Sequence, residues 1–126
     1  MKLPWFFQRR DEQPFWFAGL WSTWSGGTGP PLETCSVITT APNELAATIH
    51  NRRPVVLDAA TADAWLEPGN NDPARLAALL QIFPAAKMTA RAVSRFVSNV
   101  RHEGPACLEP AGAAGADDSP QLSLGL

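Results

Sequence analysis

From Phe15 to Trp21 the chain reads Phe-Trp-Phe-Ala-Gly-Leu-Trp, and this run limits the fold more than any other stretch. Aromatic residues favour a pleated, extended backbone, and the polar segment Arg9 to Gln13 before it supplies a turn. Apolar side chains fall on both alternating faces, so the run is expected to be a central strand covered on both sides. Trp5-Phe6-Phe7 reads as an earlier strand. With 126 residues the chain holds at most one domain of ordinary size, and a hydrophobic share of 45%, with five tryptophans and six phenylalanines, can fill a core.

The remaining elements follow from local signals. Gly26-Gly27-Thr28-Gly29-Pro30-Pro31 is a loop, and no Gly-Lys-Ser/Thr follows to make it a phosphate loop. Leu32 to Thr39 alternates as a strand, which makes Cys35 a strand residue. Thr40 is placed to cap a short helix with Pro42 in its first turn, running through Asn43 to Ala46 toward His50. Asp58 or Thr61 starts a brief helix that buries Trp65 and Leu66. Asp72-Pro73 opens another, in which Leu76, Leu79, Leu80 and Phe83 follow the spacing of one buried face. Met88 to Val93 alternates as a strand, and Val93 to Val100 continues as a mixed, half-buried segment.

The chemistry-bearing stretch is Ile49-His50-Asn51-Arg52-Arg53-Pro54, followed by Val55-Val56-Leu57. An imidazole that exchanges protons near neutral pH stands beside two guanidiniums that grip phosphate or carboxylate. The run reads either as an anion-binding site with a proton-transfer group or as a surface turn with a satisfied histidine. His50 is expected near a helix C-terminus, where the dipole favours an imidazolium, and Pro54 forbids continuation. Lys87, Arg91, Arg95 and Arg101, with no acidic residue between them, form either a strip that tracks a phosphate backbone or an ordinary solvated face. The net charge of -2 argues against indiscriminate polyanion binding. Cys35, Cys107, His50 and His102 show neither a disulfide framework nor metal-ligand spacing, and nothing indicates a metal or organic cofactor. The chain has neither the apolar run of a membrane span nor a signal-peptide layout, so a cytoplasmic, nucleoid-associated protein without a membrane partner is expected.

After Pro110 the composition turns to Ala, Gly, Asp and Ser, and residues 111–126 read as a flexible tail. It ends in Gln121-Leu122-Ser123-Leu124-Gly125-Leu126. This hexapeptide resembles the C-terminal motif with which bacterial translesion polymerases dock on the DNA polymerase sliding clamp. That resemblance implies a polar subsite for Gln121 and a hydrophobic pocket for Leu122, Leu124 and Leu126; a frayed terminus is the other reading.

Five blocks carry a larger resemblance: Phe17 to Trp21, Val37 to Asn43, Ile49 to Leu57, Trp65-Leu66, and Val93-Ser94 with Asn99-Val100. In this order, across roughly residues 3 to 110, they resemble the SOS response-associated peptidase (SRAP) family. The resemblance implies an α+β fold: a curved, mostly antiparallel, barrel-like sheet with short flanking helices. It also implies binding of single-stranded DNA and covalent capture of abasic sites. In the family an N-terminal cysteine condenses its amine with the sugar aldehyde and closes a thiazolidine with its thiol, and the same arrangement underlies a proposed autopeptidase activity. His50 matches the family's acid/base histidine, and Arg52 the arginine that contacts phosphate beside the lesion. Arg53 occupies a position that also admits uncharged residues. The chain departs from the family at residue 2, which is Lys2 rather than cysteine, and the glutamate segment is not found. It is therefore expected to correspond to the C-terminal half of the domain, residues 1–110, and to form no crosslink alone. The other reading is a non-catalytic remnant or adaptor that recruits the clamp through its tail.

Overall fold

The structure, a computed structural model, describes residues 3–112. These fall into two compact units, one running Arg9–Thr89 and the other made of the described residues outside it, 3–8 and 90–112. In chain order the strands are β1 (Trp5–Arg9), β2 (Trp16–Phe17), β3 (Gly19–Trp24), β4 (Leu32–Val37), β5 (Thr39–Thr40), β6 (Arg53–Pro54), β7 (Val56–Leu57) and β8 (Met88–Ala92). The α-helices are α1 (Glu44–Ala47), α2 (Ala59–Leu66) and α3 (Pro73–Leu79). Helix and strand are mixed, the registered ladders are antiparallel, and the sheets do not close.

The Arg9–Thr89 unit is organised around three chain segments that pair in rotation. β3 pairs with β4, β5 with β6, and β2 with β7, so each segment lends its two halves to different neighbours. The exchange happens at one residue per segment: Ala18 between β2 and β3, Ile38 between β4 and β5, and Val55 between β6 and β7. Their backbones close a ring. Ala18 N–H donates to the Val55 carbonyl, Val55 N–H to Ile38, and Ile38 N–H to Ala18, each at 2.9 Å. Backbone groups taken from water need such partners, and the ring supplies them where the ladders change hands. Ala18 is fully buried, and with Val55, Leu57 and Ala62 it forms the core, against which Ile38, Trp65 and Leu80 pack.

The expected doubly covered central strand is not what forms. The run is broken at Ala18 into two short strands, and Trp16, Phe17, Leu20 and Trp21 are all exposed, Trp21 at 75%. Only the junction residue is enclosed, because each half of the run has one neighbouring strand among the described residues.

Helix starts follow side-chain caps. Asp58 Oδ1 accepts from Thr61 N–H at 2.9 Å to begin α2, and Asp72 accepts from Ala74 N–H with Pro73 in the first turn of α3. The α1 cap is Asn43 rather than the expected Thr40, whose backbone is committed to the β5–β6 ladder opposite Arg53. Leu66, expected inside, is 71% exposed. The single helical face expected from Leu76 to Phe83 ends at Leu79; Phe83 is buried from an extended segment beyond the helix.

In the other unit, Val93 N–H donates to Pro4 O and pairs with Pro110, while Ser94 N–H donates to Glu109 O. Arg95–Ser98 and Pro105–Leu108 are single 3-10 turns. The segment from Val93 to Val100 is mixed as expected: Val93 and Ser94 are buried, and Val100 is 98% exposed.

Candidate nucleic-acid and proton-transfer site

Residues 50 to 53 leave α1 and enter β6, so two fixed elements bracket them. The bracket has a common anchor. The Asn43 side chain caps α1 by accepting from Ala46 N–H at 2.9 Å and donates Nδ2 to the Phe83 carbonyl at 2.8 Å. Arg53 Nη2 donates to that same carbonyl at 3.0 Å, with Nη1 3.8 Å from the Met88 sulfur. One acceptor therefore ties the start of the helix before the turn to the strand after it. Sequence reasoning places Asn43 in the α1 segment and Phe83 on a buried helical face but links neither to this turn; a bond spanning forty positions leaves no local signal.

Arg52 and Arg53 are adjacent yet placed oppositely. Arg53, the first residue of β6, is buried at 8% exposure, whereas Arg52, just before the strand, is exposed. Burial pulls the Arg53 pKa below the ordinary arginine value, and the charge of Glu44 offsets part of that. Its Nε is buried without a hydrogen-bond partner among the described residues. Arg52 is held by Thr39: Nε donates to Thr39 Oγ1 at 2.9 Å, and Nη2 to Thr39 O at 2.9 Å and Oγ1 at 2.8 Å. Thr39 lies in β5, which pairs with the strand that follows Arg52, so the ladder itself presents the clamp. One edge of the guanidinium is thereby fixed.

His50 is exposed, and its Nδ1 faces the backbone of Arg52 from both sides. Nδ1 lies 3.2 Å from Arg52 N–H, which can donate to it, and 2.9 Å from Arg52 O, which can accept from it. The turn therefore offers the ring a partner whether Nδ1 carries a proton or not. Either way Nε2 is the nitrogen left to exchange a proton. His50 N–H donates to Ala46 O at 2.9 Å, which places the residue just past the helix end, as expected. The four residues of α1, however, align too few peptides for a strong dipole there.

The other singled-out residues do not join this turn. His102 Nδ1 bonds Phe96 O at 2.8 Å and its ring stacks on Phe96 at 3.8 Å, a satisfied structural histidine. Arg91 donates to Leu108 O at 2.6 Å and lies over the Phe6 ring, and the Arg95 Nε is buried. Two members of the expected basic strip are thus committed to their own unit. Cys35 is exposed on β4, Cys107 is partly buried, and both are free thiols. Among the described residues no group of three or more His, Cys, Asp or Glu could hold a metal ion. No helix there is long and apolar enough to cross a membrane. Gln121, Leu122, Leu124 and Leu126 lie outside the described residues.

The site is thus a mixed α+β scaffold that displays a clamped guanidinium beside a histidine whose Nε2 has no hydrogen-bond partner among the described residues. Residues 1–100 match the family described as SOS response associated peptidase (SRAP), and the chain belongs to that family. It is 41% identical over 108 residues to the abasic site processing protein YoqW of Bacillus subtilis, covering 86% of this chain and 48% of that protein. To the abasic site processing protein HMCES of Gallus gallus it is 38% identical over 95 residues, covering 74% and 28%. A crystal structure of a Bacteroides thetaiotaomicron protein superposes with a TM-score of 0.75 at 31% identity, covering 86% of this chain and 48% of that one. The chain spans about half the length of YoqW, and less of HMCES.

Proposed function

We propose that the His50–Arg52 turn is the phosphate-binding and proton-transfer part of a site that processes abasic lesions in single-stranded DNA. The observation that carries this reading is the paired geometry at Arg52. Its side chain is fixed by Thr39 with one edge facing away from it, while its backbone holds His50 Nδ1. A fixed guanidinium edge suits a phosphate oxygen pair, and a preset fork loses less entropy on binding than a free arginine. Relatives named as abasic site processing proteins support the substrate class.

In the chemistry the family resemblance implies, the amine of an N-terminal cysteine adds to the aldehyde carbon of the opened sugar. Water leaves as the C=N bond forms. The thiol then adds across that bond, and its proton passes to nitrogen. His50 Nε2 delivers the proton with which the hydroxyl departs as water, and the Arg52 backbone supports the ring before and after. Arg53, buried on the Phe83 carbonyl, acts by holding β6 in place. Nucleophile and glutamate are assigned to the half of the relatives that the match does not span.

The test joins this chain behind the unmatched half of the Bacillus subtilis relative and follows crosslinking to an abasic oligonucleotide on a denaturing gel. His50→Ala should slow crosslink formation or reversal by at least about tenfold, within the usual range for losing a general acid or base. An unchanged rate contradicts the assignment. A second reading, recruitment of a sliding clamp, rests on Gln121-Leu122-Ser123-Leu124-Gly125-Leu126. It requires that deleting these residues abolish co-elution with a bacterial clamp. Both readings set the protein in the cytoplasm with the nucleoid.

A further inference from the structure

The Arg9–Thr89 unit carries an apolar surface that the proposed chemistry does not use. An open cavity of about 330 Å³ lies between the β3–β4 hairpin, β2 and α2. Trp16, Leu20, Trp21, Val37, Trp65 and Leu66 line it, with Cys35 and Ser36 the only polar side chains among its lining residues. It is a built surface: Trp65 Nε1 donates to Gly19 O at 3.1 Å, which pins α2 to the first residue of β3. Yet Trp16, Phe17, Leu20, Trp21, Val37 and Leu66 are each exposed as large hydrophobics. Soluble monomers rarely leave a contiguous apolar patch of this kind open, because burying such side chains away from water is favourable.

Two further observations identify what covers it. β3 and β4, which both contribute to the cavity lining, make a two-stranded ladder, so among the described residues each has one edge without a strand partner. The Bacteroides protein reproduces this fold with a TM-score of 0.75 while only 48% of its chain is matched, so a comparable length of polypeptide accompanies the same scaffold there. We propose that this face is the docking surface for a complementary half-domain, a polypeptide equivalent to the unmatched half of the SRAP relatives. That polypeptide lays apolar residues into the cavity and completes the sheet along the open edge. The inference rests on family membership and on the exposed face, and it holds whether or not His50 moves a proton.

The experiment mixes the 126-residue chain with the separately produced unmatched half of the Bacillus subtilis relative, with that relative split at the same boundary as a control. Size-exclusion chromatography with light scattering reads the stoichiometry, and calorimetry the affinity. A 1:1 complex is expected. Trp21→Glu and Leu66→Glu should each weaken it at least tenfold, while Val100→Glu in the other unit leaves it unchanged. Both acidic variants alter exposed side chains, and Leu66 lies on a helix rather than in the hairpin, so misfolding of one does not remove the test. Three results overturn the proposal: no complex with the half-domain, a self-dimer that excludes the half-domain, or an affinity insensitive to both variants. Because association is read without DNA, it fails or succeeds independently of crosslinking.

Discussion

The His50–Arg53 turn and the Trp16–Trp21 run lie in the same unit and meet the same three-segment junction, yet one is finished and the other open. In the turn, Arg52 is clamped by Thr39, Arg53 and Asn43 share the Phe83 carbonyl, and His50 is held by backbone. In the aromatic run only Ala18 is enclosed, and the side chains on either side of it reach solvent. The difference separates what single hydrogen bonds can complete from what only burial against further chain can complete. A polar group is completed by a single partner atom, near or far in sequence, whereas an apolar face needs an area of neighbouring surface.

The contrast breaks most sharply at the junction itself. Ala18→Leu would push a larger side chain into the ring formed with Ile38 and Val55. It should destabilise the chain by about 3 kcal/mol or prevent folding, as urea denaturation followed by tryptophan fluorescence would report. Asn43→Ala removes the α1 cap and one of the two bonds to Phe83 O, for an expected loss of about 2 kcal/mol on the same assay. If Asn43→Ala were silent, the common anchor would not be what holds the turn.

A smaller effect concerns pH. Asp58 caps α2, and the hydrogen bonds from Thr61 hold its carboxyl below the usual aspartate pKa. The stability it contributes is present above its unfolded value, about 3.9, and is lost as pH falls through the lower folded value. Helicity measured by circular dichroism should therefore fall below about pH 4, and Asp58→Asn, which still caps but does not titrate, should flatten that limb. The smallest effect is expected at Trp21, where Trp21→Ser in the isolated chain should change stability by no more than about 0.5 kcal/mol. A large loss there would mean that the aromatic face is already part of this unit's core.

How much of this was legible in sequence follows from range. Asp58 and Asp72 announce their helices because a cap acts across two or three residues. The strands at Trp5, Leu32 and Met88 are readable from composition and alternation, whereas the mixed, mostly antiparallel class comes from the family resemblance. His50 and Arg52 stand out by residue type. What sequence did not disclose is long-range: the rotation of partners at Ala18, Ile38 and Val55, the Arg52–Thr39 clamp, and the shared Phe83 carbonyl. Apolar character predicted cover for Trp21 and Leu66, but hydrophobicity states only that a residue gains by burial, not that its partner is at hand. The opposite fates of Arg52 and Arg53 follow from where β6 begins, at Arg53, in a strand of two residues too short to recognise beforehand.

The central claim is that Arg52, and with it the turn, faces the nucleic acid. The most direct measurement is the affinity of the chain for an abasic single-stranded oligonucleotide as a function of salt, with Arg52→Ala beside it. The account predicts affinity about tenfold weaker at low salt and a reduction of about one in the salt slope, with the thermal midpoint little changed. Equal affinity and an equal slope in the two proteins would contradict it.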